Sequence, residues 1–476
     1  MVFSSYIFIF AFLPIVLVLY YALSKLKSPL YQRAFLIAAS LFFYGYYNVM
    51  YLLLIVASIV VNYLVCLVIQ KGNGATKKIF LAVGVLFNVF LLGYFKYYDF
   101  FFENINSVFG TSFAMKNLIL PLGISFFTFQ QLSFVVSVYK KEEKVANLWD
   151  YVLFVTFFPQ LVAGPIVLYS EMIPQFMDNS RRYFNSENFS SGLYIFGMGL
   201  VKKAVIADTL ASFVNNGYGM SNIGLAAGWT ISLSYTLQLY FDFSGYSDMA
   251  VGLGKMFNID IPFNFLSPYK SKSISEFWRR WHITLGRALS TYIYIPLGGN
   301  RKGQVRTYIN LFVTFFVSGL WHGAAWTFVL WGVLHGLFSV IERFIGEQRL
   351  QKIPNIVRVA VTFLIVNALW VLFRAESFAD AIEVYKGMIS FGNINLGQLA
   401  TVVGTEGGVN LPTVMDCAYI IGLVASLLYV VFGQNNSAFR LEKFLPTKKF
   451  AIITAVMFVV ALLCLSRESV FIYFNF

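Results

Sequence analysis

The sequence predicts an all-helical protein that crosses a membrane many times, and its composition is the main reason. Apolar residues make up 58% of the 476 residues and charged residues only 12%, against about 45–50% and about 25% in a typical soluble domain. The mean hydropathy is +0.70, so apolar runs occupy most of the chain. This composition excludes a soluble multidomain protein, a disordered chain and a DNA-binding module. It predicts one integral membrane domain over residues 1–476.

Apolar runs of spanning length recur along the whole chain. A spanning helix needs about 20 mostly apolar residues. The first run has no signal-peptide cleavage pattern, so we expect it to be retained as the first helix. We count roughly eleven spans, because the short run 308–321 can join its neighbour. The runs lie at residues 6–23, 31–48, 50–70, 79–98, 117–139, 192–215, 225–251, 308–321, 324–345, 356–373, 414–432 and 450–466.

The positive charges predict which way these runs point. The net charge is +13, from 35 Lys+Arg and 22 Asp+Glu, and the basic residues sit in short loops rather than in one patch. Cytoplasmic loops carry such an excess, which also attracts anionic headgroups. Loops 24–33, 71–78 and 140–144 are basic, whereas the turns between them carry few cations. We therefore expect these loops in the cytoplasm and both chain termini outside.

The run 150–170 breaks this alternation. Basic residues flank it on both sides, at 140–144 and at Arg181 and Arg182, and it contains Pro159, Gly164 and Pro165. A segment that leaves and returns to the same side is re-entrant, and such a backbone is tolerated at membrane depth only inside protein or beside water. The alternative is one kinked span followed by an arginine pair on the far side.

An amphipathic helix is predicted over residues 273–292. At about 100° per residue, Glu276, Arg279, Arg280 and Arg287 fall opposite an apolar stripe. A helix with this much charge is expected at the cytoplasmic interface, with His282 at the edge of the stripe. Spacing alone favours a surface ion pair between residues 276 and 280; phosphate binding, as in coenzyme A, is the alternative. The stripe comprises Ile274, Phe277, Trp278, Trp281, Leu285, Ala288, Leu289 and Tyr292.

Histidine is scarce, which restricts any imidazole chemistry to three positions. His282, His322 and His335 are not paired at metal-ligand spacing, and the three cysteines share no motif, so neither zinc nor a disulfide framework is predicted. His322 lies within an apolar run at 308–340, where an ionisable residue is costly and therefore a functional candidate. It is either a general base or a hydrogen-bonded packing residue. His335 points about 140° away on an ideal helix and is expected to pack.

Further polar residues interrupt the apolar runs. Gln238, Asp242 and Asp248 lie in one run, where they need partners or a wet cavity. Lys202 and Lys203 lie in another, and we expect their ammonium groups to snorkel to the interface.

Nine sequence blocks follow one another along the chain. They are FSSYIFIF at 3–10, LGISFFTFQ at 122–130, FFPQLVAGP at 157–165, YFDFSGYSD at 240–248, EFWRRWH at 276–282, YIPLGGNR at 294–301, WHG at 321–323, FRAE at 373–376 and FIYFNF at 471–476. In this order the blocks resemble the membrane-bound O-acyltransferases, in particular the bacterial branch that O-acetylates exported polysaccharides such as alginate. The resemblance covers nearly the whole chain. Two departures leave the acceptor and the partner open: Ser290-Thr291-Tyr292 replaces an Arg-Asp-Tyr, and Ser137 replaces an Asp.

The resemblance implies a fold and an activity. The fold is a helical bundle around a tunnel open to both membrane faces, in which His322 matches the catalytic histidine and His282 the second signature position. The expected activity takes acetyl from cytoplasmic acetyl-CoA, without a metal, and passes it to an extracytoplasmic Ser-hydrolase-like acetyltransferase partner that acetylates the polymer. The further residues expected to bind donor or acceptor are Trp278, Arg279, Arg280, Trp281, Asp242, Gln238 and Trp321.

Three alternatives stay open at this point. One is D-alanyl transfer toward teichoic acid, which a sibling branch performs. Another is a transporter or export subunit without chemistry, although no internal repeat is visible. The last concerns Tyr473 in the aromatic tail, which either carries the acyl group as a relay, as the resemblance suggests, or anchors the tail in the interface.

Overall fold

The computed structural model describes residues 1–145, 147–404, 414–433, 436–465 and 472, and the regular elements among these residues are all helical. The chain forms two compact units. Unit 1 comprises Met1–Gly199, Tyr246–Pro262 and Phe444–Met457; unit 2 comprises Leu200–Gly245, Phe263–Lys443 and Phe458–Phe476. Helices α10 (Ser186–Val201), α12 (Leu225–Met256) and α23 (Lys448–Cys464) contribute to both units.

Unit 1 holds nine further helices among its described residues. They are α1 (Leu13–Leu23), α2 (Leu30–Gly45), α3 (Val49–Lys71), α4 (Gly74–Leu92), α5 (Tyr98–Phe109), α6 (Ile124–Lys140), α7 (Leu148–Thr156), α8 (Phe158–Leu161) and α9 (Tyr169–Met177). A π-helical turn at Gly93–Tyr97 joins α4 to α5, so this helix runs past the predicted end at residue 98. The predicted run 117–139 becomes helical only at residue 124.

A buried polar network joins α3, α4 and α6. Asn62 donates to the side-chain oxygens of Asn88 at 3.3 Å and Gln131 at 3.0 Å, and Gln131 donates to Ser58 Oγ at 2.9 Å. All four side chains are at most 1% exposed. In an apolar helical bundle such interhelical hydrogen bonds hold the helices in register.

The segment 150–170 is broken, and its two ends lie at the same end of unit 1. Helix α7 ends at Thr156, α8 lasts four residues, and the chain is non-helical from 162 to 168. Arg33 Nη1 lies 3.4 Å from Asp150 Oδ1 at the start of the segment, and the adjacent Gln32 donates to the Arg182 carbonyl at 3.1 Å beyond it. The residues that flank the segment therefore lie close together, as a leave-and-return course predicts. Residues 153–167 are all buried, as irregular backbone at membrane depth requires.

Unit 2 holds the remaining helices. They are α11 (Asp208–Tyr218), α13 (Ile274–Arg280), α14 (Ile283–Leu289), α15 (Gln304–His322), α16 (Trp326–Ile345), α17 (Glu347–Leu350), α18 (Asn355–Arg374), α19 (Phe378–Met388), α20 (Gly397–Val403), α21 (Val414–Phe432) and α22 (Ser437–Glu442). π-Helical turns at Lys202–Ala207 and Ser290–Tyr294 follow α10 and α14.

Helices α15 and α16 form a tight hairpin, so the predicted runs 308–321 and 324–345 are separate helices, and the alternative in which the first joins its neighbour is wrong. The chain reverses at Gly323, which has extended backbone. Glycines allow the two helices to touch: a Cβ on Gly319 would lie 2.5 Å from the Phe328 carbonyl oxygen, and one on Gly332 would lie 2.9 Å from the Gly319 Cα. Gly319 thus allows the backbone of α16 to approach α15 closely.

Among the described residues, four helices are long and apolar enough to cross a membrane by length and composition. They are Val49–Lys71, Gly74–Phe109, Trp326–Ile345 and Asn355–Arg374, and the shorter apolar helices Phe8–Leu23 and Cys417–Phe432 accompany them.

Candidate active site

His322 is the last residue of α15, at the turn of the hairpin. Its side chain is 2% exposed, and its ring centroid lies 4.9 Å from that of Trp321 and 5.1 Å from those of Trp331 and Phe373. The first indole comes from α15, the second from α16 and the phenyl ring from α18. His322 is therefore held in an aromatic cage built by three helices.

The sequence predicts one amphipathic helix over 273–292, and this prediction is wrong because the helix is interrupted at His282. The segment forms α13 and α14 with Trp281 and His282 between them, and His282 has a left-handed backbone with φ +45°. This conformation is uncommon for a residue other than glycine and requires support from its surroundings. The His282 side chain is fully buried.

Asn264, on the loop after α12, supplies that support. Its backbone oxygen accepts from the Ile283 N–H at 3.1 Å. Its Oδ1 accepts from the Thr284 N–H at 3.0 Å and from Thr284 Oγ1 at 2.9 Å. These bonds satisfy amides at the start of α14 that an uninterrupted helix would direct to α13, so the loop determines where the helix breaks.

The same oxygen determines the tautomer of His282. His282 Nδ1 lies 3.3 Å from Asn264 Oδ1, and the two donors of Thr284 identify this atom as the oxygen of the amide. An oxygen only accepts, so Nδ1 carries the proton and Nε2 keeps its lone pair. Burial lowers the pKa of His282 to about 3, so the imidazole is neutral at physiological pH and can accept a hydrogen bond through Nε2.

The indole of Trp321 contacts both histidines. Its centroid lies 6.1 Å from the His282 ring and 4.9 Å from the His322 ring, and it is 7% exposed. The structure thus brings together two imidazoles that are forty residues apart in the sequence. A pair of buried imidazoles can orient a hydroxyl group and remove its proton.

Helix α13 is attached to α16 at two points. Glu342 Oε2 accepts from the N–H groups of Ile274 and Ser275 at 2.6 and 3.3 Å, and Trp278 Nε1 donates to His335 Nδ1 at 3.2 Å. His335 also packs on Trp331 at 4.7 Å, the indole that contacts His322. The expectation that His335 points away from His322 is wrong because the chain reverses between them; its packing role is confirmed.

The remaining predicted binding residues separate into core and surface positions. Trp281 is 1% exposed and packs on Phe265 and Trp370 at 5.1 and 5.0 Å, so it is a core residue. Arg279 is exposed. Arg280 Nη2 lies 2.7 Å from Glu276 Oε1, which confirms the ion pair that the spacing favoured.

Asp242 belongs to a buried cluster of charges. Lys203 Nζ lies 2.8 Å from Asp242 Oδ1 and 2.8 Å from Asp208 Oδ1. Lys203 is 3% exposed and Lys202, which donates to Ser437 Oγ at 3.0 Å, is 7% exposed. The snorkelling prediction for both lysines is therefore wrong, because buried acceptors are closer than the interface. The expectation that Asp242 has a partner is confirmed.

Gln238 lies one turn before Asp242 on α12 and is 8% exposed. The next residue after Asp242, Phe243, packs edge-on against His282 at 4.7 Å. Asp242 Oδ2 accepts from the Ile472 N–H at 2.8 Å. Tyr473 itself lies outside the described residues.

Sequence reasoning missed Asn264, Glu342 and the Lys203 ion pairs. Asn264 follows Pro262 and Phe263 in a stretch without periodicity, so only its short polar side chain pointed to a cap. Glu342 follows an apolar run, which is typical of a solvated helix end. Among the described residues, no group of three His, Cys, Asp or Glu side chains is arranged to hold a metal ion.

Comparison with known proteins gives relatives along the whole chain. The membrane-bound O-acyltransferase family matches residues 36–373. The chain is 40% identical to the peptidoglycan O-acetyltransferase of Helicobacter pylori, over 100% of this chain and 98% of that protein. It is 42% identical to the probable alginate O-acetylase AlgI of Pseudomonas aeruginosa, over 86% and 79%. The teichoic acid D-alanyltransferase of Bacillus subtilis is 25% identical over 55% of this chain and 70% of its own length.

The predicted resemblance is therefore confirmed, and the range 36–373 includes both site histidines and the helices that hold them. With a family match over most of the chain and a relative aligned from end to end, the chain belongs to the membrane-bound O-acyltransferase family and is an O-acyltransferase.

Proposed function

We propose that this protein is a membrane O-acetyltransferase that takes acetyl from cytoplasmic acetyl-CoA and passes it across the membrane for O-acetylation of an exported cell-wall polysaccharide. The observation that carries the proposal is the pair of buried imidazoles, His282 and His322, that both contact the indole of Trp321. The two most similar proteins named above are O-acetyltransferases of peptidoglycan and alginate, which supports acetyl as the group transferred.

In the proposed reaction, His322 is the general base. It takes the proton of the acceptor hydroxyl as that oxygen attacks the thioester carbonyl carbon. The new C–O ester bond forms, the C–S bond breaks, and the thiolate of coenzyme A leaves and recovers the proton from the imidazolium. His322 ends the step as a neutral imidazole and coenzyme A leaves as its thiol, so the step needs no oxidant, reductant or metal.

His282 has a different role, because burial keeps its pKa near 3. It stays neutral through the reaction and accepts a hydrogen bond through Nε2 from a substrate donor other than the reacting hydroxyl, which positions the acceptor and leaves the proton of the reacting hydroxyl for His322. The Asn264 amide fixes that nitrogen as the acceptor. The Trp321 indole contacts both imidazoles and limits their rotation. Trp278 positions α13 through His335 rather than touching the donor.

The proposed architecture has about eleven spans around a tunnel open to both faces of the cell membrane, with both termini outside. A hydrogen bond from Gln32 to the Arg182 carbonyl and the contact between Arg33 and Asp150 bring two basic stretches together at one end of unit 1. This supports placing that end in the cytoplasm. Exposed Arg279 and half-buried Arg287, together with the Arg280–Glu276 pair, then face headgroups or the phosphates of coenzyme A.

The acceptor side of the reaction is proposed from the relatives. An extracytoplasmic Ser-hydrolase-like acetyltransferase would receive the acetyl group and place it on the polymer. Tyr473 is proposed as the relay between His322 and that partner, since a phenol ester is a more reactive acyl donor than an alkyl ester; the alternative is an interfacial anchor. D-Alanyl transfer is disfavoured by the lower identity of the D-alanyltransferase.

Donor turnover by purified protein in liposomes tests this proposal. Acetyl-CoA labelled in the acetyl group is supplied on one side, and released coenzyme A and labelled product are measured with and without the partner protein. We expect coenzyme A release that His322→Ala abolishes. Turnover only of a D-alanyl carrier protein would support the sibling activity, and no release of coenzyme A under any condition would indicate a transporter.

The tail is tested in the same assay. Tyr473→Phe removes the hydroxyl and keeps the ring, so an anchor tolerates the change whereas a relay loses transfer to the partner. Full acetylation of the polymer by the Tyr473→Phe protein would exclude the relay.

A further inference from the structure

Three arginines line a narrow cleft in unit 1, next to the residues that flank the broken segment 150–170. Arg33 comes from the start of α2, and Arg181 and Arg182 come from the 3₁₀ turn Asn179–Arg182 after α9. The cleft has a volume of about 20 Å³, which is enough for one water-sized group. It can therefore admit a single oxygen atom of a larger molecule that stays at its mouth.

The charges of these arginines are unequally compensated. Arg33 Nη1 lies 3.4 Å from Asp150 Oδ1, and Arg181 Nη1 lies 2.8 Å from Asp260 Oδ2. Arg182 is half-buried and forms no ion pair in the described part of the chain. One positive charge at the cleft thus remains to be compensated, and a half-buried charge favours an anionic partner.

Two guanidinium N–H groups at the cleft also lack an acceptor. Arg182 Nη2 donates to the Leu26 carbonyl, but Nε of Arg182 and Nε of Arg33 are buried without a hydrogen-bond partner among the described residues. The carboxylate that lines the cleft, Asp178, accepts from the Ser180 N–H at 2.9 Å and from Ser180 Oγ at 2.7 Å. A buried donor without an acceptor costs free energy, and a guanidinium group cannot accept. The group that suits this cleft is therefore an oxygen that only accepts and carries negative charge.

Aromatic side chains around the cleft indicate its depth in the membrane. Tyr31 lies two residues before Arg33, and Tyr183 and Phe184 directly follow Arg182; all three side chains are more than half exposed. Exposed aromatic residues are typical of the interface between the hydrocarbon core and water. The phosphate groups of phospholipids lie in this region, and basic pockets between helices bind such headgroups.

We propose that Arg33 and Arg182 form a binding site for an anionic phospholipid, with one phosphate oxygen in the cleft that both guanidinium groups line. This oxygen accepts from the two Nε atoms, and the phosphate charge compensates Arg182. The bound lipid joins the start of α2 to the turn after α9, so it holds together the residues that flank the segment 150–170. The site does not rest on the proposed function.

Thermal unfolding measures this binding, because a ligand of the folded state raises the melting temperature. The protein is washed free of phospholipid in a non-ionic detergent and titrated with phosphatidylglycerol. Diacylglycerol with the same acyl chains is the control that lacks the phosphate. We expect phosphatidylglycerol to raise the melting temperature with an apparent Kd at least about tenfold lower than that of diacylglycerol.

Two conservative variants test the geometry of the site. Arg33→Lys and Arg182→Lys keep the positive charge but remove the Nε donor and the planar guanidinium fork. Each should raise the apparent Kd for phosphatidylglycerol at least about tenfold. Arg349→Lys is the matched control, because Arg349 is an exposed arginine of α17, and it should bind the lipid like wild type. The melting temperature of each variant without lipid shows that it is folded.

Three results would overturn the proposal. The first is no shift of the wild-type melting temperature with phosphatidylglycerol, or an equal shift with diacylglycerol. The second is equal binding of phosphatidylglycerol by wild type and both site variants, which would show that charge alone attracts the lipid. The third concerns inorganic phosphate and coenzyme A. If either bound as tightly as phosphatidylglycerol and lost affinity in the two site variants, the site would belong to a soluble phosphate compound.

Discussion

Asn264 is the residue whose removal should disturb the candidate site most without touching either histidine. Asn264→Ala deletes Oδ1, which accepts two bonds from Thr284 and faces His282 Nδ1 at 3.3 Å. Loss of a helix cap costs about 1 kcal/mol, and leaving the buried Thr284 donors without an acceptor adds about 1–3 kcal/mol. The free energy of unfolding should therefore fall by about 2–4 kcal/mol.

Activity should fall further than stability explains. Without the Asn264 oxygen, the left-handed backbone at His282 relaxes and the Nδ1–H tautomer is no longer imposed. A misplacement of about 1 Å at a catalytic group can cost about 10²-fold in rate, so we expect a loss of that size in the turnover number. Asn310→Ala is the matched control, since Asn310 is also fully buried and donates to the Gly299 carbonyl.

Asn264→Asp separates the two functions of the amide. A carboxylate can still accept from Thr284, but its charge beside Nδ1 stabilises the imidazolium and raises the pKa of His282 from about 3. The rate of coenzyme A release in proteoliposomes, measured from pH 5 to pH 9, should then rise with pH as His282 loses its proton. In wild type, His282 should cause no such rise in rate between pH 5 and pH 9.

The reasoning would be refuted by either of two results. One is Asn264→Ala protein with wild-type rate and wild-type melting temperature. The other is Asn264→Asp protein whose pH profile matches that of wild type and of the Asn310→Ala control.

Three further predictions use thermal unfolding and turnover of the purified protein. Gly319→Ala should lower turnover about 10²-fold, because its Cβ would lie 2.5 Å from a backbone oxygen, whereas Gly422→Ala, which has open space, should not. Lys203→Met should cost about 3–5 kcal/mol by leaving two buried carboxylates, and Lys202→Met about 1 kcal/mol. Between pH 7.5 and 5.5, wild type should lose about 1.4 kcal/mol of unfolding free energy more than His282→Gln.

The sign of the pH effect follows from the pKa of His282. It is about 3 in the folded protein and 6.5 ordinarily, so the unfolded chain binds the extra proton as the pH falls through 6.5. Stability is therefore complete above pH 6.5 and decreases toward pH 3. The pH prediction would be contradicted if wild type and His282→Gln lost the same free energy of unfolding. The lysine prediction would be contradicted by equal melting of the two lysine variants, and the glycine prediction by equal turnover of the two glycine variants.

Periodicity and composition predicted the parts of the fold that the bilayer imposes. Runs such as 50–70 and 356–373 became Val49–Lys71 and Asn355–Arg374 because length and apolarity decide a spanning helix. The broken segment at 150–170 was also predictable, since proline, glycine and flanking charge all pointed to it. The family motifs identified His282 and His322, whose spacing alone carries no signal.

Tertiary contacts decided the remaining features. The helix 273–292 breaks at His282 because Asn264, on another segment, caps α14. Likewise, Lys203 stays buried because two aspartates, one of them on α12, lie within 2.8 Å. Helical periodicity treats each segment as isolated, so it can reveal neither a cap nor an ion pair that comes from a distant part of the chain.

The most direct test of the central proposal is the rate of acetyl transfer by His322→Ala protein in liposomes. Ser318→Ala is the matched control, because it removes another buried polar atom one turn earlier on α15. If His322 is the general base, its alanine variant should melt like wild type and transfer acetyl about 10²–10⁴-fold more slowly, while Ser318→Ala stays near wild type. Near-normal transfer by folded His322→Ala protein would contradict the account.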